Sequence, residues 1–142
     1  MKNTEFYVLP NKTQYEIGER VYLEIKKTGQ TEANYVKVSL FTYQGENLKM
    51  EFALEQGMYI PLAESISEKT DGYLVKIEFF QKTEKLGSCY TAFDVVNCWT
   101  EAPRYGFLSS FSEEDKQKEE YQEFFREMHL NVIQFYDWMY HH

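Results

Sequence analysis

The stretch PRYGFLSSFSEEDKQKEEYQEFFREMHLNVIQFYDWMYHH, residues 103–142, decides the fold of this chain. It begins with a short apolar run, Tyr105–Leu108, and ends shortly after a second one, Val132–Phe135. A helix is predicted between them, because apolar residues recur there at the spacing of one helix face. That stripe consists of Tyr121, Phe124, Phe125 and Met128. Ser112, followed by acidic residues at 113–115, has the composition of a helix N-cap and first turn.

Strand, helix and strand in this order predict a parallel pair of strands joined by a right-handed crossover. Such a unit needs further strands on its open edges, so the pattern predicts the first unit of a larger parallel (β/α)8 barrel. A complete barrel needs about 250 residues. We therefore expect this 142-residue chain to carry only a fragment of one.

Residues 4–97 show a different pattern, in which apolar and polar residues alternate and turn residues recur. Period-2 alternation is typical of half-buried strands. Three stretches show it most clearly, with inward sets Val21, Leu23, Ile25; Val36, Val38, Leu40; and Tyr73, Val75, Ile77, Phe79. The last expected strand is Ser88–Val96, which follows Gly87. About seven strands at this spacing predict an immunoglobulin-like β-sandwich. The expected fold is mainly β, with the sandwich at residues 1–97, a linker at 98–104 and the strand–helix–strand segment at 105–142. Trp99 is expected to fill the seam between the two parts.

Composition limits the classes of partner. The net charge of −8 and the scattered lysines argue against a nucleic-acid groove and against an anionic membrane surface. Aromatic residues make up 18% of the chain, which is consistent with a sandwich core or with surfaces that stack on sugar rings. With neither a spanning apolar run nor a signal peptide, the predicted location is cytoplasmic; removal of a leader would make it extracellular instead.

The two cysteines are predicted to be free thiols. Cys89 and Cys98 lie nine residues apart in an expected strand, which spans roughly 30 Å. A disulfide needs Cα atoms within about 7 Å.

The strings RYGFLSSF (104–111) and NVIQFYDWMYHH (131–142) resemble the start of the catalytic barrel in the dextranase family of glycoside hydrolases. That family includes glucanotransferases that make cyclic isomaltooligosaccharides. The resemblance implies a retaining hydrolase or transglycosylase acting on α-1,6-linked glucan, with an Asp nucleophile and a Glu acid/base. Both lie on later barrel strands in the family, and neither maps onto this chain. We therefore expect a fragment that is inactive alone, that takes α-glucan or isomaltooligosaccharide as its partner, and that uses no cofactor.

The candidate substrate-binding residues are Tyr136, Asp137 and Trp138, which follow the last predicted strand. In a barrel, chemistry sits at the carboxyl ends of the strands. An aromatic face can stack on a pyranose ring, and a carboxylate can accept bonds from sugar hydroxyls. The alternative is structural, with Tyr136 and Trp138 packing and Asp137 capping a loop. His129, His141 and His142 match no zinc spacing, so no metal site is expected.

Two other roles stay open. The chain could be a non-catalytic module that binds glycan or orients a partner, because it lacks a catalytic constellation. The exposed apolar side chains of the C-terminal segment could also pack on the sandwich, pair with a second copy in a homo-oligomer, or fray.

Overall fold

The computed structural model describes residues 6–27, 32–55, 58–62, 68–109 and 119–136. These ranges contain ten β-strands and one α-helix. The strands are β1 (Phe6–Pro10), β2 (Gln14–Glu16), β3 (Tyr22–Lys27), β4 (Tyr35–Thr42), β5 (Gly45–Ala53), β6 (Tyr59–Pro61), β7 (Asp71–Gln81), β8 (Glu84–Val96), β9 (Tyr105–Leu108) and β10 (Val132–Phe135). The helix α1 is Glu119–Glu127, and Trp99–Glu101 forms a turn of 3-10 helix. The described chain is mainly β, as predicted.

The first eight strands form two sheets that pack face to face. Five of them lie in the order β2-β8-β7-β4-β5, antiparallel except for the parallel β2–β8 pair. The other sheet is antiparallel, in the order β1-β3-β6. Side chains of both sheets meet in one hydrophobic cluster, so this part of the chain is a β-sandwich.

The alternation of the strands builds this core. On β7 the side chains of Tyr73, Val75, Ile77 and Phe79 are all exposed by 2% or less. The predicted inward sets around β3 and β4 are buried as well, so these predictions are confirmed. Stacking of the Phe6 ring on Phe79, with centroids 3.7 Å apart, joins the two sheets directly.

One strand boundary differs from the sequence prediction. The last sandwich strand was expected to follow Gly87, yet β8 begins at Glu84 and runs through that glycine. The reversal is instead made at Lys82, which has a left-handed φ of 54°. Gly87 lies where the β7–β8 register shifts, next to the pairing of Phe80 with Lys85. Glycine marks a bulge in this strand rather than its start.

Beyond the sandwich, β9 and β10 pair in parallel, with α1 between them in the chain. We call residues 105–136 the tail. The predicted N-cap Ser112 lies outside the described residues. The predicted apolar stripe of α1 is divided: Phe124 and Met128 are 51% and 58% exposed, whereas Tyr121 and Phe125 are half-buried.

Both cysteines are free thiols, as predicted. Burial raises the pKa of the Cys89 thiol to about 12, so it is unreactive at neutral pH. No helix within the described ranges has the length and apolarity needed to cross a bilayer.

Candidate functional site

The candidate site lies at the carboxyl ends of β9 and β10. Tyr105 pairs with Val132, and Phe107 with Gln134. Because side chains alternate along a strand, these four lie on one face of the pair. Tyr105 and Phe107 are 54% and 64% exposed, so this face is largely open to solvent.

The opposite face is covered around Gly106 by the end of the helical segment. A Cβ on Gly106 would lie 2.6 Å from Leu130 Cδ1 and 3.0 Å from Ile133 Cδ1. A side chain at this position would push the flexible ends of Leu130 and Ile133 aside. Gly106 thus lets the chain that follows α1 pack directly on the strand pair.

Tyr136 continues β10 by one residue, on the open face. Its backbone N–H donates to Leu108 O at 2.7 Å, and its ring meets Phe107 edge-on with centroids 6.0 Å apart. The ring is held in place while its side chain stays 53% exposed. Such an aromatic surface can stack on an apolar face of a sugar ring. The other two predicted site residues, Asp137 and Trp138, lie outside the described residues.

The start of β9 is fixed to the sandwich by a charged cluster. Arg104 Nη2 lies 2.6 Å from Asp94 Oδ2 on β8, and the Asp94 side chain is only 15% exposed. Asn131 Oδ1 accepts the Arg104 N–H at 2.8 Å, while Asn131 and Val132 donate their N–H groups to Arg104 O at 3.2 Å. These contacts therefore hold the starts of β9 and β10 together and fix them beside β8.

His129 belongs to the same cluster. It follows α1 with a left-handed φ of 55°, and its Nδ1 is buried without a hydrogen-bond partner among the described residues. Burial, and then the charge of Arg104, lower the pKa of His129. Burial raises the pKa of Asp94, against the opposing effects of Arg104 and His129. The lowered pKa of His129 keeps its imidazole neutral near pH 7.

The helix docks on the other sheet through charged residues. Arg126 Nη2 lies 2.8 Å from Glu24 Oε2 on β3, with the two side chains 25% and 16% exposed. Glu123 pairs with Lys26 of the same strand, and that contact lowers its pKa. Burial and a hydrogen bond to Glu127 raise the pKa of Tyr7 on β1 to about 12. Of the three arrangements left open for the tail, the structure shows packing on the sandwich.

The described residues contain no group of three or more His, Cys, Asp or Glu side chains that could hold a metal ion. Sequence reasoning missed Asp94, Arg104 and Asn131. Arg104 and Asn131 begin the two strings that carry the family resemblance, but their partners are remote in the chain, and nothing in the sequence pairs them with each other or with Asp94.

The comparison with protein families bears on both the strands and the tail. The model of glycosyl hydrolase family 66 matches residues 10–142. The chain belongs to this family. Two curated relatives are cycloisomaltooligosaccharide glucanotransferases of Niallia circulans, 27% identical over 146 residues and 28% identical over 156 residues. Each alignment covers 95% of this chain, and the chain spans only 15% of the length of each relative. The resemblance to the dextranase and glucanotransferase family is confirmed for this family-66 chain.

Proposed function

We propose that this chain is the N-terminal portion of a glycoside hydrolase or transglycosylase that acts on α-1,6-glucan. The observation that carries the proposal is the family-66 match over residues 10–142. In this proposal residues 1–97 form an immunoglobulin-like sandwich, 98–104 a linker and 105–142 the first unit of a (β/α)8 barrel. The names of the two relatives favour transfer between glucan segments as the reaction of the whole protein.

The open face of the tail supports a barrel. Parallel sheets are normally covered on both faces. In the described residues β10 pairs with β9 alone, and Phe107 and Tyr136 are more than half exposed. Further parallel strands would pair with the free edges and turn this face into a barrel interior.

The same geometry supports a sugar-binding role for Tyr136, and the proposal extends this role to Asp137 and Trp138, which lie outside the described residues. Tyr136 lies at the carboxyl end of β10 on the open face, where a barrel enzyme binds its substrate. The catalytic Asp and Glu implied by the family resemblance would come from polypeptide that corresponds to the unmatched part of the relatives. This chain by itself is then inactive.

The experiment is a dextran assay on two proteins, the 142-residue chain and the product of its entire reading frame. We expect the longer protein to release linear or cyclic isomaltooligosaccharides and the 142-residue chain to release none. A reading frame that closes after His142, or a longer protein that leaves dextran unchanged, would overturn the proposal.

A non-catalytic module is the second candidate, favoured by the closed core of the sandwich. All buried residues of the hydrophobic cluster lie between Phe6 and Val95, so the sandwich core does not depend on the tail. In this role a partner would bind to the open face of the tail, and that partner could be a second copy of the chain. Light scattering that finds a dimer, together with an inactive reading-frame product, would favour this role over the first.

A further inference from the structure

An open cavity of about 400 Å³ lies where the sandwich meets the tail. One wall is the turn between β1 and β2 together with Gln14, the first residue of β2, and the other is formed by α1 and the start of β10. Its volume is in the range of small-molecule sites, roughly 300–1,000 Å³. The cavity lies on the α1 side of the tail, away from the face that carries Tyr136.

The cavity wall is rich in carboxamides. Its lining includes Asn11, Gln14, Gln122 and Asn131, next to the half-buried ring of Phe125. None of the described lining residues is Asp or Glu, although the chain has 23 acidic residues. A carboxamide both donates and accepts hydrogen bonds, as a sugar hydroxyl does.

The two cations of the lining are already neutralised. Lys12 Nζ lies 2.6 Å from Glu19 Oε1, and Arg126 Nη2 lies 2.8 Å from Glu24 Oε2. A ligand therefore meets amides and an aromatic ring rather than a free positive charge. This chemistry selects a neutral, hydroxyl-rich molecule over an anion.

Three of the four carboxamides are held in place before a ligand arrives, and the fourth, Gln122, is exposed on α1. Tyr15 Oη donates to Asn11 Oδ1 at 2.7 Å, and Gln14 Nε2 donates to Ala102 O at 3.2 Å. Asn131 bridges Arg104 N and Ala102 O. Fixed side chains lose little conformational freedom on binding.

We propose that this cavity is a glucan-binding site separate from the open strand face, and that it takes an α-1,6-linked glucose oligomer. The choice of oligomer depends on the proposed function, whereas the preference for a neutral polyol depends on the lining alone. In the whole protein such a site would hold a polymeric substrate beside the barrel.

The test is a titration of the ¹⁵N-labelled chain with isomaltotetraose, followed by the side-chain amide signals. We expect saturable shifts at Asn11, Gln14 and Gln122. Gln122→Ala removes one hydrogen bond and Phe125→Leu removes the aromatic face, and each is expected to weaken binding about two- to tenfold. Gln44→Ala, on the exposed β4–β5 turn, is the matched control and leaves the affinity unchanged. The spectra themselves report whether each variant is folded.

Three results would overturn this site: no shift of these amides at about 10 mM oligomer, equal affinity in Gln122→Ala and Gln44→Ala, or saturation of the same amides by inorganic phosphate in place of the sugar. The proposed function is tested separately. Dextran turnover by the reading-frame product with no sugar binding at these amides would remove the cavity site and leave the enzyme proposal intact.

Discussion

Replacing Arg126 tests how the helix of the tail is held on the sandwich. The Arg126 guanidinium meets the Glu24 carboxylate at 2.8 Å, and Glu24 is only 16% exposed. In Arg126→Gln this carboxylate keeps its burial and loses its counter-charge. Breaking a fully buried pair costs about 3–5 kcal/mol and an exposed pair about 0–1 kcal/mol. For this partly buried pair we expect a loss of about 1–3 kcal/mol.

The assay is native-state amide hydrogen exchange of α1 and β10, because local opening of the tail exposes these amides first. Exchange in α1 should accelerate about five- to 150-fold, the factor in rate that corresponds to that loss of free energy. The control is Lys37→Gln. Its partner Glu51 lies 2.9 Å away and the two side chains are 41% and 63% exposed, so little change is expected.

The double variant Glu24→Gln, Arg126→Gln removes the buried charge together with its partner. It should recover part of the lost protection against exchange. The double-mutant cycle then isolates the interaction energy of the pair. Unchanged exchange of α1 in Arg126→Gln, or the same effect from Lys37→Gln, would refute the claim that this ion pair fixes the helix.

Three further predictions concern backbone and pH. Gly106→Ala places a methyl group 2.6 Å from Leu130 Cδ1. Because that atom ends a flexible side chain, we expect the free energy of unfolding to fall by only about 1 kcal/mol. Unaltered amide exchange at β9 would contradict this prediction. Burial and Arg104 lower the pKa of His129 in the folded state. As the pH drops, the unfolded state therefore binds a proton at a higher pH than the folded state does, and stability falls as the pH drops through about 6.5. His129→Asn keeps the left-handed backbone and should flatten this part of the pH profile of urea midpoints; a profile parallel to the wild type would count against it. Lys82→Gly relieves a φ of 54° and should raise the free energy of unfolding by about 0.5–1 kcal/mol. A lower urea midpoint would show the reasoning to be wrong.

The sandwich core was predictable from the sequence because burial there follows strand alternation. Val75 and Ile77 are apolar, their neighbours Lys76 and Glu78 are charged, and the register of β7 follows from this pattern. The start of β8 was not predictable, since the turn at Lys82 uses a residue that carries no turn signal.

The docking of the tail could not be read from the sequence. Glu24 and Arg126 lie about a hundred positions apart in the chain. Each is a charged residue of the kind that normally faces solvent, so the sequence does not indicate that they pair. Trp99 was expected to fill the seam between the two parts, and this was wrong: its indole is 53% exposed, while Gln14 bonds to the carbonyls of the linker. Tyr136 was placed correctly at the end of β10, because the apolar run before it marks the strand.

The most direct measurement is an experimental structure of the reading-frame product bound to isomaltotriose. It should show a third parallel strand on the edge of β10 or β9 and the sugar against Tyr136 at the carboxyl end of β10. Strands β9 and β10 incorporated as antiparallel members of the sandwich sheets, or both tail edges free and no sugar at Tyr136, would contradict the account.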